Sequence, residues 1–167
     1  MSKAKKHPVV IVSHKGYKQV QHGHPWIFDS DITSQPDTED VQLVQVRTKG
    51  RKFVGIGLYN CHSKIRVRLL SRQNCMVNRD FWRQRILAAM QRRQRIAPFP
   101  EACRLIHGEA DGLPGLFVDL YERSLSVQIA SRGMEAHQET VLEILTELIA
   151  PRAIVMRNDL PSRIKEG

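Results

Sequence analysis

The run Arg104-Leu-Ile-His-Gly-Glu-Ala-Asp-Gly-Leu-Pro-Gly-Leu-Phe-Val-Asp119 places three polar side chains, three glycines and a proline between two apolar stretches. Leu105 and Ile106 read as the end of one strand and Leu116 to Tyr121 as the next, so His107, Glu109 and Asp111 fall on the connection, where functional groups concentrate. Gly108, Gly112 and Gly115 admit positive φ or close backbone approach, while Pro114 fixes φ and withholds a donor. The pattern predicts a backbone of specific shape between two strands.

The remaining chain reads as two small domains, divided near residue 72. In the first, Pro8 to Ser13 is a β-branched strand and Lys15 to Gln21 a short polar helix ending at Gly23. His24-Pro25-Trp26 turns the chain, and Ser30 to Asp40 has loop composition. Val41 to Arg47 and Lys52 to Leu58 bracket the turn Thr48-Lys-Gly-Arg51 as a hairpin, with Gly55-Ile-Gly57 inside a strand pattern. Ile65, Val67 and Leu69 alternate with Arg66, Arg68 and Leu70, which places the two arginines on one strand face. Several short strands and one helix predict a small, partly open β-barrel. From residue 73 the pattern is helix, strand, strand, strand, helix, strand. The first helix, Asp80 to Ala97, carries Trp82, Ile86, Ala89, Met90 and Ala97 as an apolar stripe, with Pro98 and Pro100 ending it. The second runs from about Gly133 to Ala150, before a last strand at Ala153 to Arg157. The fold class is α+β.

The net charge of +9 is unevenly shared. Residues 1–100 hold 19 Lys/Arg against 6 Asp/Glu, net +13, whereas residues 101–167 are net −4. A basic first part points to a polyanion, and to nucleic acid rather than membrane, because no long amphipathic basic helix with bulky apolar anchors opens the chain. The apolar run Val9 to Val12 is too short for a secretory signal, and nothing reaches membrane-spanning length. Cys61, Cys75 and Cys103 are odd in number and widely spaced, which favours packing thiols in a reducing cytoplasm over a disulfide framework or zinc knuckle.

Lys15 and Lys18 on the short helix and Arg66 and Arg68 on the strand are candidates for phosphate contacts, with Trp26, Phe28 and Phe53 in the same segment. His24 and Arg72 join them. The arginine-rich helix, with Arg83, Arg85, Arg92, Arg93 and Arg95 beside its apolar stripe, is either a solvated face or a further phosphate track. No Gly-x-Gly-x-x-Gly or phosphate loop opens a helix, so no cofactor site is expected. His107-Gly-Glu109 matches half of a zinc deaminase signature, but the downstream Cys pair that would complete the zinc set is missing. His107, Glu109 and Asp111 alone make a weak metal site, so no metal is expected. Hydrogen bonding within the loop and docking against a further domain remain the two readings of these side chains.

Together with His22-Gly-His-Pro-Trp-Ile-Phe28 and Arg157-Asn-Asp-Leu-Pro-Ser-Arg-Ile-Lys-Glu-Gly167, the loop resembles one family: the PUA-containing, S-adenosylmethionine-dependent cytosine-5 methyltransferases of large-subunit ribosomal RNA. The resemblance covers nearly the whole chain. It implies an N-terminal PUA domain for RNA recognition over residues 1–72 and a small α/β middle domain over residues 73–167. It also implies a Rossmann-like catalytic domain beyond residue 167, which would hold the nucleophilic cysteine and the methyl donor. The expectation is an RNA-binding part of a methyltransferase, inactive by itself, with ribosomal RNA and the catalytic domain as the partners the resemblance implies. No catalytic residue is assigned within the chain. The loop residues Arg104, His107, Gly108, Glu109, Asp111, Gly112, Pro114 and Gly115 would then dock to the catalytic domain or border its substrate. The alternative is a self-sufficient PUA-type RNA-binding or interaction protein.

Overall fold

The computed structural model describes residues 7–38, 42–96 and 101–158. The expectations for Val41, for Ala97, Pro98 and Pro100, and for the segment from Asp159 to Gly167 lie outside them. Two compact units divide the chain, Met1–Cys75 and Met76–Gly167. Both combine helices with a β-sheet, giving a mixed α+β structure in which the first sheet is curled and PUA-like and the second is smaller.

The first unit contains β1 (Val9–Val12), α1 (His14–Gln21), β2 (Trp26–Phe28), β3 (Ile32–Ser34), β4 (Gln42–Thr48), β5 (Phe53–Tyr59) and β6 (Ile65–Ser71). Its sheet has the order β2-β6-β5-β4-β1-β3, and β1 runs parallel to β4 while the other pairs are antiparallel. Alternation buries Val10 and Val12, Val44 and Val46, and Val67 and Leu69, which meet Val20 of α1 and Ile27 of β2 in one core. A Cβ on Gly57 would lie 2.5 Å from Val67 Cγ1 and 2.7 Å from the Arg68 carbonyl oxygen, so this glycine permits the close approach of β5 and β6.

Three expectations change in the structure. Ile32–Ser34, inside a stretch of loop-like composition, forms β3, because β1 offers an edge on which Ile11 pairs with Ser34 and Val12 with Ile32. Tertiary pairing overrides the polar composition there. Trp26, expected in a turn, begins β2 opposite Arg68. In the second unit, the helix expected from Gly133 to Ala150 is two helices, α3 (Arg132–Glu135) and α4 (Gln138–Ile149). The break falls at Ala136 and His137, where the His137 ring packs 4.9 Å from the ring of Trp82.

That second unit begins with α2 (Arg79–Ile96), followed by β7 (Ala102–His107), a 3₁₀ turn (Gly108–Asp111), β8 (Leu116–Tyr121) and β9 (Ser124–Ile129). After α3 and α4 comes β10 (Ala153–Met156), parallel to β9 as the crossover requires, giving the order β10-β9-β8-β7. Trp82, Ile86 and Ala89 share one face of α2 and are fully buried, as are Val141, Ile144 and Leu145 of α4. They meet a sheet whose alternate residues Leu116, Val118, Leu125, Val127 and Ile129 are also buried.

Candidate nucleic-acid interface

Because β1 runs parallel to β4 with Val12 opposite Thr48, the chain leaving β1 enters α1 beside the tip of the β4–β5 hairpin. The Ser13 side chain accepts a hydrogen bond from Gly16 N (3.1 Å) and caps α1. Gly16 lets the buried Asp31 approach, since a Cβ there would lie 2.9 Å from Asp31 Cβ. Lys15 Nζ stands 3.7 Å from Asp31 Oδ1, with the lysine side chain 73% exposed. Lys18 is exposed. Across from them Lys52 Nζ donates to Tyr17 Oη (2.7 Å) and lies 5.2 Å from the centre of that ring, which ties hairpin to helix. Arg72 Nε donates to the Val20 carbonyl (3.3 Å) and joins the end of β6 to the same helix.

The hairpin supplies cations that were recognised in the sequence only as a turn. Lys49, Gly50, Arg51 and Lys52 are exposed. Lys18, Lys49 and Arg51 have no carboxylate partner among the described residues. Lys15, Lys18, Arg72 and the hairpin therefore share one basic end of the first unit. Tyr17 and Lys52 are 35 residues apart, and no local pattern links them.

The other expected contacts behave differently. Arg66 is half-buried, and its Nη1 points to the Asn60 carbonyl at 3.5 Å, on the loop at the opposite end of β6 from Arg72. Its Nε is buried without a hydrogen-bond partner. It is directed away from the Lys15–Lys18 surface. Arg68 is half-buried, with its guanidinium 5.5 Å from the centre of the Trp26 ring. His24 is exposed and folds back, with Nδ1 3.2 Å from Trp26 N.

In the second unit the loop is held from beneath by α2. The Asp111 carboxylate, 1% exposed, accepts from Arg92, Arg93 and the His107 backbone N–H at 2.6 to 3.1 Å. Burial pushes this carboxyl upward, but Arg93, the His107 amide and Arg92 together outweigh it and hold the pKa below the usual value. Arg85 Nη1 donates to the Gly112 carbonyl (3.2 Å), and Gly112 has φ +68°. Gly115, at φ +77°, would place a Cβ 2.3 Å from Ser131 Oγ. Pro114 is buried, and Gly108 lies under Phe117.

Asp111 is therefore turned inward and does not present its carboxylate outward with the rest of the loop. His107 is exposed with its ring 5.7 Å from that of Phe117. Glu109 is half-buried. Arg104 pairs with Asp119 across the strands at 2.8 and 3.0 Å. The arginine-rich helix is largely an internal clamp: Arg79 reaches Glu143 and Glu147 of α4, and Arg85, Arg92 and Arg93 hold the loop. Only part of its charge, at the exposed Arg83 and Arg95, faces solvent without such a role.

A groove of about 680 Å³ lies in the same unit, lined by Met90, Cys103, Leu105, Leu120, Leu148 and Ile149 with charged residues at its rim. Burial raises the Cys103 thiol above its ordinary pKa, the opposite of nucleophile activation. Among the described residues no three His, Cys, Asp or Glu side chains gather as a metal site. No helix among them is long and apolar enough to cross a membrane.

Residues 10–72 match the family model described as a PUA-like domain. Over 162 residues the chain is 32% identical to Ribosomal RNA large subunit methyltransferase I of Alteromonas mediterranea, covering 95% of this chain and 41% of that protein. It is 34% identical over 154 residues to the enzyme of that name from Pseudoalteromonas atlantica, covering 90% and 39%. The chain thus spans about two fifths of the length of the curated relatives it matches. A Streptococcus mutans protein provisionally assigned as a SAM-dependent methyltransferase has the same fold over 89% of this chain and 40% of its own, with a TM-score of 0.77 at 16% identity. The first unit therefore carries a PUA-like domain, and the chain is homologous to part of the large-subunit ribosomal RNA methyltransferases.

Proposed function

We propose that this chain is the RNA-recognition portion of an S-adenosylmethionine-dependent methyltransferase that modifies cytosine at carbon 5 in large-subunit ribosomal RNA. The observation that carries the reading is the basic end of a PUA-like domain, Lys15, Lys18 and Arg72 beside the β4–β5 hairpin, in a chain homologous to ribosomal RNA methyltransferases. Attack on cytosine carbon 6 needs a thiolate and methyl transfer needs a donor pocket. Cys103 is disfavoured as that thiolate by burial. Both functions are assigned to the additional length that the relatives possess. The second unit, with its clamped loop, positions His107 and Glu109 toward that catalytic part.

Fluorescence anisotropy with a ribosomal RNA stem-loop over a range of salt concentrations tests recognition. Affinity is expected to fall steeply with salt, because each neutralised phosphate releases counterions. A flat salt response would exclude this mode of binding. Calorimetry with S-adenosylmethionine is expected to give no binding heat for this chain; saturable micromolar binding would place a donor site within it. Bisulfite mapping of large-subunit RNA from cells lacking the complete gene tests the modification, and an unchanged cytosine pattern would remove the carbon-5 assignment.

A further inference from the structure

Arg51 occupies the left-handed region at φ +63°, a position in the hairpin turn where glycine or asparagine fits with less strain. The conformation is braced rather than relaxed. Arg51 N donates to the Thr48 carbonyl (2.8 Å), Lys52 N to Thr48 Oγ1 (3.2 Å), and Arg47 Nη1 reaches across to the Arg51 carbonyl (2.8 Å). Arg47 is itself anchored by Gln45 Oε1 at 3.0 and 3.2 Å. A strained position held by its surroundings, with an exposed cation as its side chain, points to a role for that cation.

Three aromatic rings of this unit meet cations. Tyr17 lies beneath Lys52, Phe53 beneath Arg47 at 5.8 Å and Trp26 beneath Arg68. These contacts compete with base stacking, whereas exposed ammonium and guanidinium groups suit phosphates. We infer that the β4–β5 turn is a phosphate-gripping finger that extends the α1 surface onto the backbone of base-paired RNA, with Lys49 and Arg51 as its contacts. Base-paired RNA is favoured over a single strand because its phosphates are more densely spaced. This inference rests on the RNA-recognition reading and adds to it the contacting residues and the class of RNA.

The test measures anisotropy of the full chain with an RNA duplex of about 16 base pairs, an unstructured strand of equal length, and vesicles of phosphatidylcholine with phosphatidylserine. Arg51→Gly removes the cation while relaxing the turn, so its thermal midpoint is expected to hold or rise as duplex affinity falls about threefold to tenfold at low salt and the salt slope drops by about one. Lys49→Gln repeats the test without altering the backbone, and Lys18→Ala serves as the α1 reference. If Lys18→Ala weakens binding while both turn variants bind as wild type, the finger is excluded and the RNA-recognition reading stands. Preference for the single strand overturns the duplex assignment. Failure of the wild type to bind either RNA overturns both readings, and vesicle binding in that case assigns the surface to a membrane.

Discussion

Two parallel hydrogen bonds, 2.8 and 2.6 Å long, join the Arg93 guanidinium to the Asp111 carboxylate across 18 residues of chain. They make α2 the support of the loop, because Asp111 also accepts the His107 backbone N–H and so fixes the residue from which the exposed imidazole projects.

Asp111→Ala is expected to destabilise the second unit by about 1.5–3 kcal/mol, the range for hydrogen bonds to charged groups, toward its lower end because Arg92 and Arg93 retain contact with solvent. In the parent protein, the stabilising contribution of Asp111 is complete above the ordinary carboxyl pKa of 3.8 and is lost as pH falls through its lowered folded value. Urea unfolding from pH 7 down to pH 3 checks both statements. An alanine variant with the parental midpoint at pH 7 would leave the clamp without energetic weight.

His137 should give a separate pH dependence. Burial lowers its pKa below 6.5, so the folded protein holds it neutral while the unfolded chain takes up a proton as pH falls below that value. Its effect is nil well above pH 6.5 and destabilising below, growing until the folded pKa is reached. His137→Gln is expected to reduce the loss of unfolding free energy between pH 8 and pH 5, although it also alters packing against Trp82. Equal losses in parent and variant would show that this residue does not contribute.

Gly115→Ala combines a positive φ with a contact 2.3 Å from Ser131 Oγ, the group that accepts Met134 N–H at the start of α3. A loss of at least about 1–2 kcal/mol is expected. A thermal midpoint within a degree or so of the parent would mean that the turn adapts at little cost.

Lys18→Ala and Arg66→Ala should separate recognition from folding. The first is expected to lower the salt slope of RNA binding by about one with stability unchanged within about 0.5 kcal/mol. The second should leave the slope intact and reduce stability, because Arg66 is half-buried and directed at Asn60. The opposite assignment of effects would move the RNA surface to the other end of β6.

The elements with strong local signals were legible in the sequence: the β4–β5 hairpin around Thr48–Arg51, the alternation of β6, and α2 from its Trp82, Ile86 and Ala89 spacing. β3 was not, since Ile32–Ser34 becomes a strand only because β1 offers an edge. Charge was harder to read than hydrophobicity. The arginines of α2 have the pattern of a solvated face, and only the contact of α2 with the 3₁₀ turn shows them to be clamps on Asp111 and Gly112. Arg51 carries no sequence mark of its left-handed backbone, and Tyr17 meets Lys52 through the β1–β4 pairing, which no short window of residues contains.

That pairing also sets a timetable for synthesis. Val9 pairs with Gln45, so the apolar segment Val9–Val12 waits for 36 further residues before its parallel neighbour exists. At ribosomal speeds of 5–20 residues per second the interval is about 2–7 s, longer than the microseconds in which a hairpin closes. During that time Val9–Val12 is a candidate for association with other nascent chains, and the steps that shield it are the folding of α1 over Val12 and the return of β3 to its edge.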